Sequence, residues 1–141
     1  MNEKKMVEHR TSHKTIIMTT RYILENIEYK LTLNDLEFAS GQNKYVITRL
    51  FKKTYGMTPV KWIWDLRTQY AYELLKNLSN IRIIDIAVCS GFNSQAHLSR
   101  LLKLKFKQTA SEIRQIKDEQ KTEAYTKDPI VFLNKAFQLV G

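Results

Sequence analysis

The sequence predicts an all-α fold in which two helix-turn-helix subdomains are joined by a long linker helix. Three observations predict it. Apolar residues recur at helical spacing, and 4 Gly and 2 Pro in 141 residues are too few for a turn-rich β fold. The stretch DLEFASGQN at 35–43 returns as DIAVCSGFN at 85–93, a shift of 50 residues. A duplication of this kind is a stronger signal than either copy alone. Between the copies, from Thr58 to about Leu78, runs one long helical pattern.

The elements follow in order. Residues 1–12 are polar and read as a flexible N-terminal arm. The helical pattern opens at His13, with Ile16, Ile23 and Ile27 on one face, Ile17 and Leu24 beside it, and a polar ending over 26–30. Thr32 suits an N-cap, and Asp35 three positions later resembles a capping box. Leu33, Leu36 and Ala39 make a short apolar face, and Gly41 supplies a tight turn where a side chain is not expected to fit. Asn43 caps a third helix over 44–53. Its inner face is Ile47, Leu50 and Phe51; its outer face is Lys44, Tyr45, Thr48, Arg49 and Lys52. A short helix, a glycine turn and a second helix with a basic outer face is helix-turn-helix logic. Gly56 stops that helix, and Thr58 with Pro59 starts the next as N-cap and first residue. The linker runs to about Leu78 with apolar contacts at Val60, Ile63, Tyr70, Ala71, Leu74 and Leu75, a span of roughly 29 Å at about 1.5 Å per residue. The expected divisions are an arm at 1–12, subdomains at 13–57 and 79–116, the linker at 58–78, and a charged segment and tail at 117–141.

The second copy carries one extra residue after Gly91, so Arg49-Leu50-Phe51-Lys52 matches Arg100-Leu101-Leu102-Lys103. The exits correspond too, YGMTPVKW at 55–62 and FKQTASEI at 106–113. Leu98, Leu101 and Phe106 form the expected second core. Trp62 and Trp64 lie two apart and cannot share a helix face, so one packs and the other is partly exposed. Cys89 aligns with Ala39 and reads as a buried small residue beneath the turn. After the charged stretch, Pro129 opens an apolar piece, IVFLNKAFQLV, either a helix packed on the body, the favoured reading, or a partner-binding tail.

Composition narrows the function. Lys+Arg is 23 against 14 Asp+Glu, a net charge of +9, which suits a polyanionic partner. A single cysteine excludes an intrachain disulfide framework and a cysteine-based zinc cluster. No long apolar run follows the polar N-terminus, so neither a secretory signal nor a membrane span is expected, and the setting reads as cytoplasmic. His9, His13 and His97 make no convincing metal pair with Cys89, and no glycine-rich phosphate loop appears. Neither catalysis nor a cofactor is therefore expected.

The repeat carries a family signature. Leu36, Gly41, Arg49, Phe51-Lys52-Lys53, Gly56, Thr58-Pro59, Arg67, Ala71 and Leu74-Leu75 belong to it in the first half. Ile83, Ile86-Ala87, Gly91-Phe92, Ser94-Gln95, His97-Leu98, Arg100, Lys103, Phe106 and Ile113-Arg114 belong to it in the second. Over about residues 15–116 the sequence resembles the DNA-binding region of the AraC/XylS family, especially its small stand-alone members of the MarA/SoxS/Rob kind. The resemblance implies seven helices in two homeodomain-like subdomains, whose recognition helices enter successive major grooves on one face of the duplex. It implies activation through contact with RNA polymerase in many members, although repressors exist. Glu37 departs from the family pattern where a small residue is preferred. Leu102 replaces a phenylalanine, Lys107 and Ala110 replace a glycine and a proline, and Ala96 stands where a polar base reader is common.

The expected function is that of a sequence-specific, double-stranded-DNA-binding transcription regulator, an activator, associated with the nucleoid. Successive major grooves recur about every 34 Å, a distance the linker can bridge within one monomer. Arg49 and Arg100 have guanidinium groups suited to guanine O6 and N7 or to phosphate. Tyr45, Thr48, Gln95, His97 and Ser99 are the other base-contact candidates. Asn43, Lys44, Lys52, Lys53, Arg67, Asn93, Ser94, Lys103, Lys105 and Lys107 are the phosphate-contact candidates. Asn43 and Asn93 are read first as helix caps, with neighbouring amides free to take phosphate. A monomer on promoter DNA is expected, with dimerisation through the tail as a further possibility and with no membrane partner. A chain this short leaves no space for a sensor domain, so no small-molecule effector is expected. The alternative is a protein-interaction module, or an antagonist of a related regulator, in which DNA recognition is lost or weak.

Overall fold

A computed structural model describes residues 2–116 and places seven helices there. They are α1 Glu3–Glu25, α2 Leu33–Ser40, α3 Lys44–Tyr55, α4 Pro59–Asn77, α5 Ile83–Cys89, α6 Gln95–Phe106 and α7 Ala110–Arg114. The architecture is all-α, with two helix-turn-helix pairs, α2–α3 and α5–α6, preceding and following the 19-residue α4 in the chain. The tail expected over 117–141 lies outside the described residues.

The chain forms two compact units. Among the described residues, the first holds 2–26 together with Lys30–Ile63, and the second holds Ile27–Tyr29 and 64–116. Of α4, residues 59–63 fall in the first unit and residues 64–77 in the second.

In the first unit, α1 begins ten residues earlier than expected. Asn2 caps it, accepting a hydrogen bond from the Lys5 amide at 2.9 Å. The segment expected as an arm is thus helical from Glu3 on. The buried face of α1 is Thr15, Thr19, Thr20 and Ile23, while Ile17 is exposed. Three threonines are tolerated there because their hydroxyls donate back to carbonyls of the preceding turn, Thr15 to Thr11 at 2.9 Å, Thr19 to Thr15 at 2.8 Å and Thr20 to Ile16 at 2.7 Å. Ile23, Leu36, Ile47, Leu50, Phe51, Trp62 and Ile63 complete this core. Phe51 and Tyr55 meet the fully buried Trp62 with ring centroids 5.6 and 5.1 Å away. Thr58 accepts the Lys61 amide at 3.3 Å and starts α4 at Pro59. Val60, expected among the apolar contacts, is 51% exposed: it lies on the outer side of the turn that buries Trp62 and Ile63.

The second unit is built around α4. Leu66, Ala71, Leu74 and Leu75 pack with Ile86, Ala87, Phe92, Leu98, Leu102 and Ile113. Leu102 is fully buried, whereas Leu101 and Phe106, both expected in the core, are half-buried. Phe106 instead stacks on Tyr72 at 4.1 Å near the surface. The residue beneath the turn is Ser90, fully buried, and not Cys89, which is exposed. Two successive residues on a helix end point in different directions, so burying one turns the other outward. Partial shielding of its sulfur, with Glu28 and Asp85 nearby, pushes the Cys89 thiol above its ordinary value, away from the reactive thiolate.

Candidate nucleic-acid interface

The start of α3 is set by two side chains. Asn43 accepts hydrogen bonds from the amides of Tyr45 and Val46 at 3.1 and 3.0 Å. Glu37, one turn before the end of α2, accepts the Lys44 amide at 2.9 Å. The first three amides of α3 are thus satisfied within the chain, which closes the anion site expected beside Asn43. The preceding helix is held by a full capping box. The Thr32 amide donates to Asp35 at 2.7 Å, and the Asp35 amide donates back to the Thr32 hydroxyl at 3.2 Å. The glutamate that departs from the family pattern joins the two helices of the motif across their turn.

Burial of Ile47, Leu50 and Phe51 turns the opposite face of α3 outward. Lys44, Tyr45, Arg49 and Lys52 are exposed there and Thr48 half-exposed. With Leu33 they line a groove of about 650 Å³. Tyr45 is 75% exposed, with the Lys44 ammonium 5.4 Å from its ring centre. Lys53 is exposed on the adjoining flank.

α6 starts differently. Its cap is Ser94, whose hydroxyl accepts the His97 amide at 3.1 Å, and not Asn93. The extra residue after Gly91 explains the change: Phe92 is drawn into the core, and the cap position moves one residue along. Among the described residues no side-chain acceptor matches Glu37 here: Ala87 occupies the corresponding place and is buried. The outward face of α6 carries Gln95, Ser99, Arg100 and Lys103, all exposed, with Lys105 and Lys107 exposed further along.

His97 is half-buried. Its ring lies edge-on to Trp64 at 4.6 Å and to Phe92 at 5.2 Å. Burial, then the positive charges of Arg100 and Arg67, hold its pKa below the ordinary value, so the imidazole is neutral at pH 7.

Arg67 is not where a phosphate contact would need it. It is 4% exposed. Its Nε donates to the Ile27 carbonyl at 3.0 Å and its Nη2 to the Tyr29 carbonyl at 2.6 Å, with its guanidinium 4.5 Å from the Trp64 ring centre. Burial pulls its pKa down to about 10, which still leaves it charged at neutral pH. Its role is to clamp the 27–29 segment onto α4 with a delocalised cation that an aromatic face stabilises. A basic residue on a linker does not reveal this from sequence, because the carbonyls it serves lie 40 and 38 residues away.

Among the described residues, no group of three His, Cys, Asp or Glu side chains could hold a metal ion, and no helix is long and apolar enough to cross a membrane.

Comparison with known proteins places this arrangement. A family described as a helix-turn-helix domain matches residues 39–116. The regulatory protein SoxS of Salmonella typhimurium is 31% identical over 104 residues, which cover 73% of this chain and 96% of SoxS. The HTH-type transcriptional regulator ExsA of Pseudomonas aeruginosa is 39% identical over 92 residues, 65% of this chain but 32% of ExsA, so the chain spans about a third of that relative. An AraC-type DNA-binding-domain regulator from Chromobacterium violaceum has a solved structure that superimposes with a TM-score of 0.68 at 27% identity, covering 80% of this chain and 96% of that one.

Proposed function

The chain belongs to the AraC/XylS family of helix-turn-helix DNA-binding transcriptional regulators, and on that premise we propose that it activates transcription as a monomer that reads two adjacent major grooves of promoter DNA. The observation that carries the proposal is the pairing of Arg49 and Arg100. They hold matching places in the repeat, and both are exposed on helices whose opposite faces are buried. Each guanidinium can donate two parallel hydrogen bonds to guanine O6 and N7. Tyr45 and Thr48 on α3, and Gln95, His97 and Ser99 on α6, complete the base-reading sets. Neutral His97 can donate through one ring nitrogen and accept through the other. Lys44, Lys52, Lys53, Ser94, Asn93, Lys103, Lys105 and Lys107 contact phosphate. In this reading the first amides of α6, which point out of a helix end, receive a phosphate as well. Activation entails contact with RNA polymerase, a role consistent with the many activators in the family.

Selection from random duplex DNA tests the proposal. A single recovered motif of two half-sites about one helical turn apart, bound by one chain, is the expected result. Log affinity against log salt should fall with a slope near −5 or steeper if six or more phosphates are neutralised, at about 0.9 for each. Failure to enrich any sequence, or an obligatory two-chain complex on the shortest bound duplex, would overturn it. Transcription in vitro from a promoter carrying the motif then separates activation from repression.

A further inference from the structure

The amino-terminal half of α1 lies beside the recognition helix of its own unit. Lys5, His9 and Ser12 recur at helical spacing on one side of α1 and face Gln42, Arg49 and Lys53 from α3 and the turn before it. These residues line a groove of about 850 Å³. It holds three fixed cations against one carboxylate, Glu8, and His9, Ser12 and Gln42 add side chains that can donate hydrogen bonds, beside the apolar Val7, Val46 and Leu50. Arg49 forms part of both this groove and the one on the far side of α3.

We propose that this groove is a phosphate-binding track for the DNA strand bordering the α3 half-site, so that the first three turns of α1 belong to the DNA interface. The inference rests on the DNA-binding reading above and adds a site to it. A helix lying in a major groove about 12 Å wide has a phosphodiester strand along each flank. One flank of α3 carries Lys44, Tyr45, Thr48 and Lys52; the other faces α1. A strand on the α1 side meets cations and donors from two helices, a surface that suits singly charged oxygens spaced along a backbone and not a base edge. Such a contact adds affinity without reading sequence.

The test uses the full chain and a duplex that the wild-type protein has selected from random DNA. Lys5→Gln with Lys53→Gln removes two cations from the groove and keeps residues of good helix propensity. Lys4→Gln with Lys14→Gln removes the same charge from exposed positions of α1 outside it. The groove variant should flatten the salt slope by about 1.8, and weaken binding by up to roughly sixty-fold at 0.1 M salt, with an unchanged preference for the selected over a scrambled site. The control variant should leave the slope within a few tenths of wild type. Glu8→Gln should tighten binding. Equal slope changes in the two double variants would show a diffuse effect of net charge and overturn the proposal, as would an unchanged slope in the groove variant. Failure of wild type to select any duplex would instead reject the underlying DNA-binding reading.

Discussion

Gly41 and Gly91 hold the same place in the two helix-turn-helix units, and both adopt a left-handed backbone, with φ of 72° and 83°. Their surroundings differ. A Cβ added at Gly41 would meet nothing within 4 Å, whereas one added at Gly91 would lie 2.3 Å from the Ile27 carbonyl oxygen and 2.6 Å from Arg67 Nε. In the first unit glycine answers only a dihedral requirement, not the close fit expected at Gly41. In the second it also makes space for the Arg67 clamp. The two copies of one turn therefore have the same shape for different reasons, and the second is the less tolerant of change.

Substitution at these glycines should break the resemblance most sharply. Gly91→Ala should cost about 4 kcal/mol, because it adds left-handed strain and displaces a charge-assisted hydrogen bond. Gly41→Ala should cost about 1 kcal/mol, from the strain alone. Thermal melts of the two variants compare them directly, and equal losses would deny the distinction. Arg67→Met should cost about 3 kcal/mol by removing two hydrogen bonds from a charged donor. It should leave the salt slope of DNA binding unchanged in whatever fraction stays folded; a slope reduced by about 0.9 would return Arg67 to the phosphates.

The two recognition arginines give the next effect. Arg49→Ala and Arg100→Ala should each lower discrimination for the recovered site by about 1–3 kcal/mol if they read guanine. The fold should persist, because both side chains point away from the cores. Footprints of the two variants on one duplex should lose protection at opposite half-sites, and intact footprints in both would defeat the proposed recognition surface.

The helix ends sharpen the contrast with smaller effects. Glu37→Ala should cost about 1 kcal/mol of stability by exposing the Lys44 amide, and Glu37→Gln, which keeps an acceptor, should recover most of it. If the alanine variant melts as wild type does, Glu37 does not hold α3. At the other end, α3 stops at Gly56 and α6 at Lys107, both left-handed, with φ of 73° and 59°. Lysine is strained there, so Lys107→Gly should stabilise by about 0.5–1 kcal/mol even after the added freedom of glycine in the unfolded chain. The same change should weaken DNA binding, because it removes a cation from the α6 surface. A variant that is both more stable and no weaker in binding would remove Lys107 from the interface.

What could be read in the sequence was whatever repeats locally. The duplicated DLEFASGQN and DIAVCSGFN patterns, the Thr32–Asp35 box, the Asn43 cap and the stop at Gly56 each need only neighbours within a few residues. They determined the all-α class, the two motifs and the outward faces that carry Arg49 and Arg100. Periodicity located the apolar faces but not their edges, since a residue on the border of a stripe is buried or exposed according to what arrives from elsewhere. Hence Val60, Leu101 and Cys89 moved outward, and Leu102 and Ser90 moved in. The threonine face of α1 escaped notice because back-bonded hydroxyls bury residues that count as polar. Tertiary structure alone decided the fate of Arg67 and Glu37. Both are charged groups on helices, and both would pass for surface residues by type. One is buried because two carbonyls from the 27–29 segment meet its donors, and the other is turned to an amide seven residues further on. A charge follows the strongest complementary partner within reach, and which partner is within reach is known only once the chain has folded.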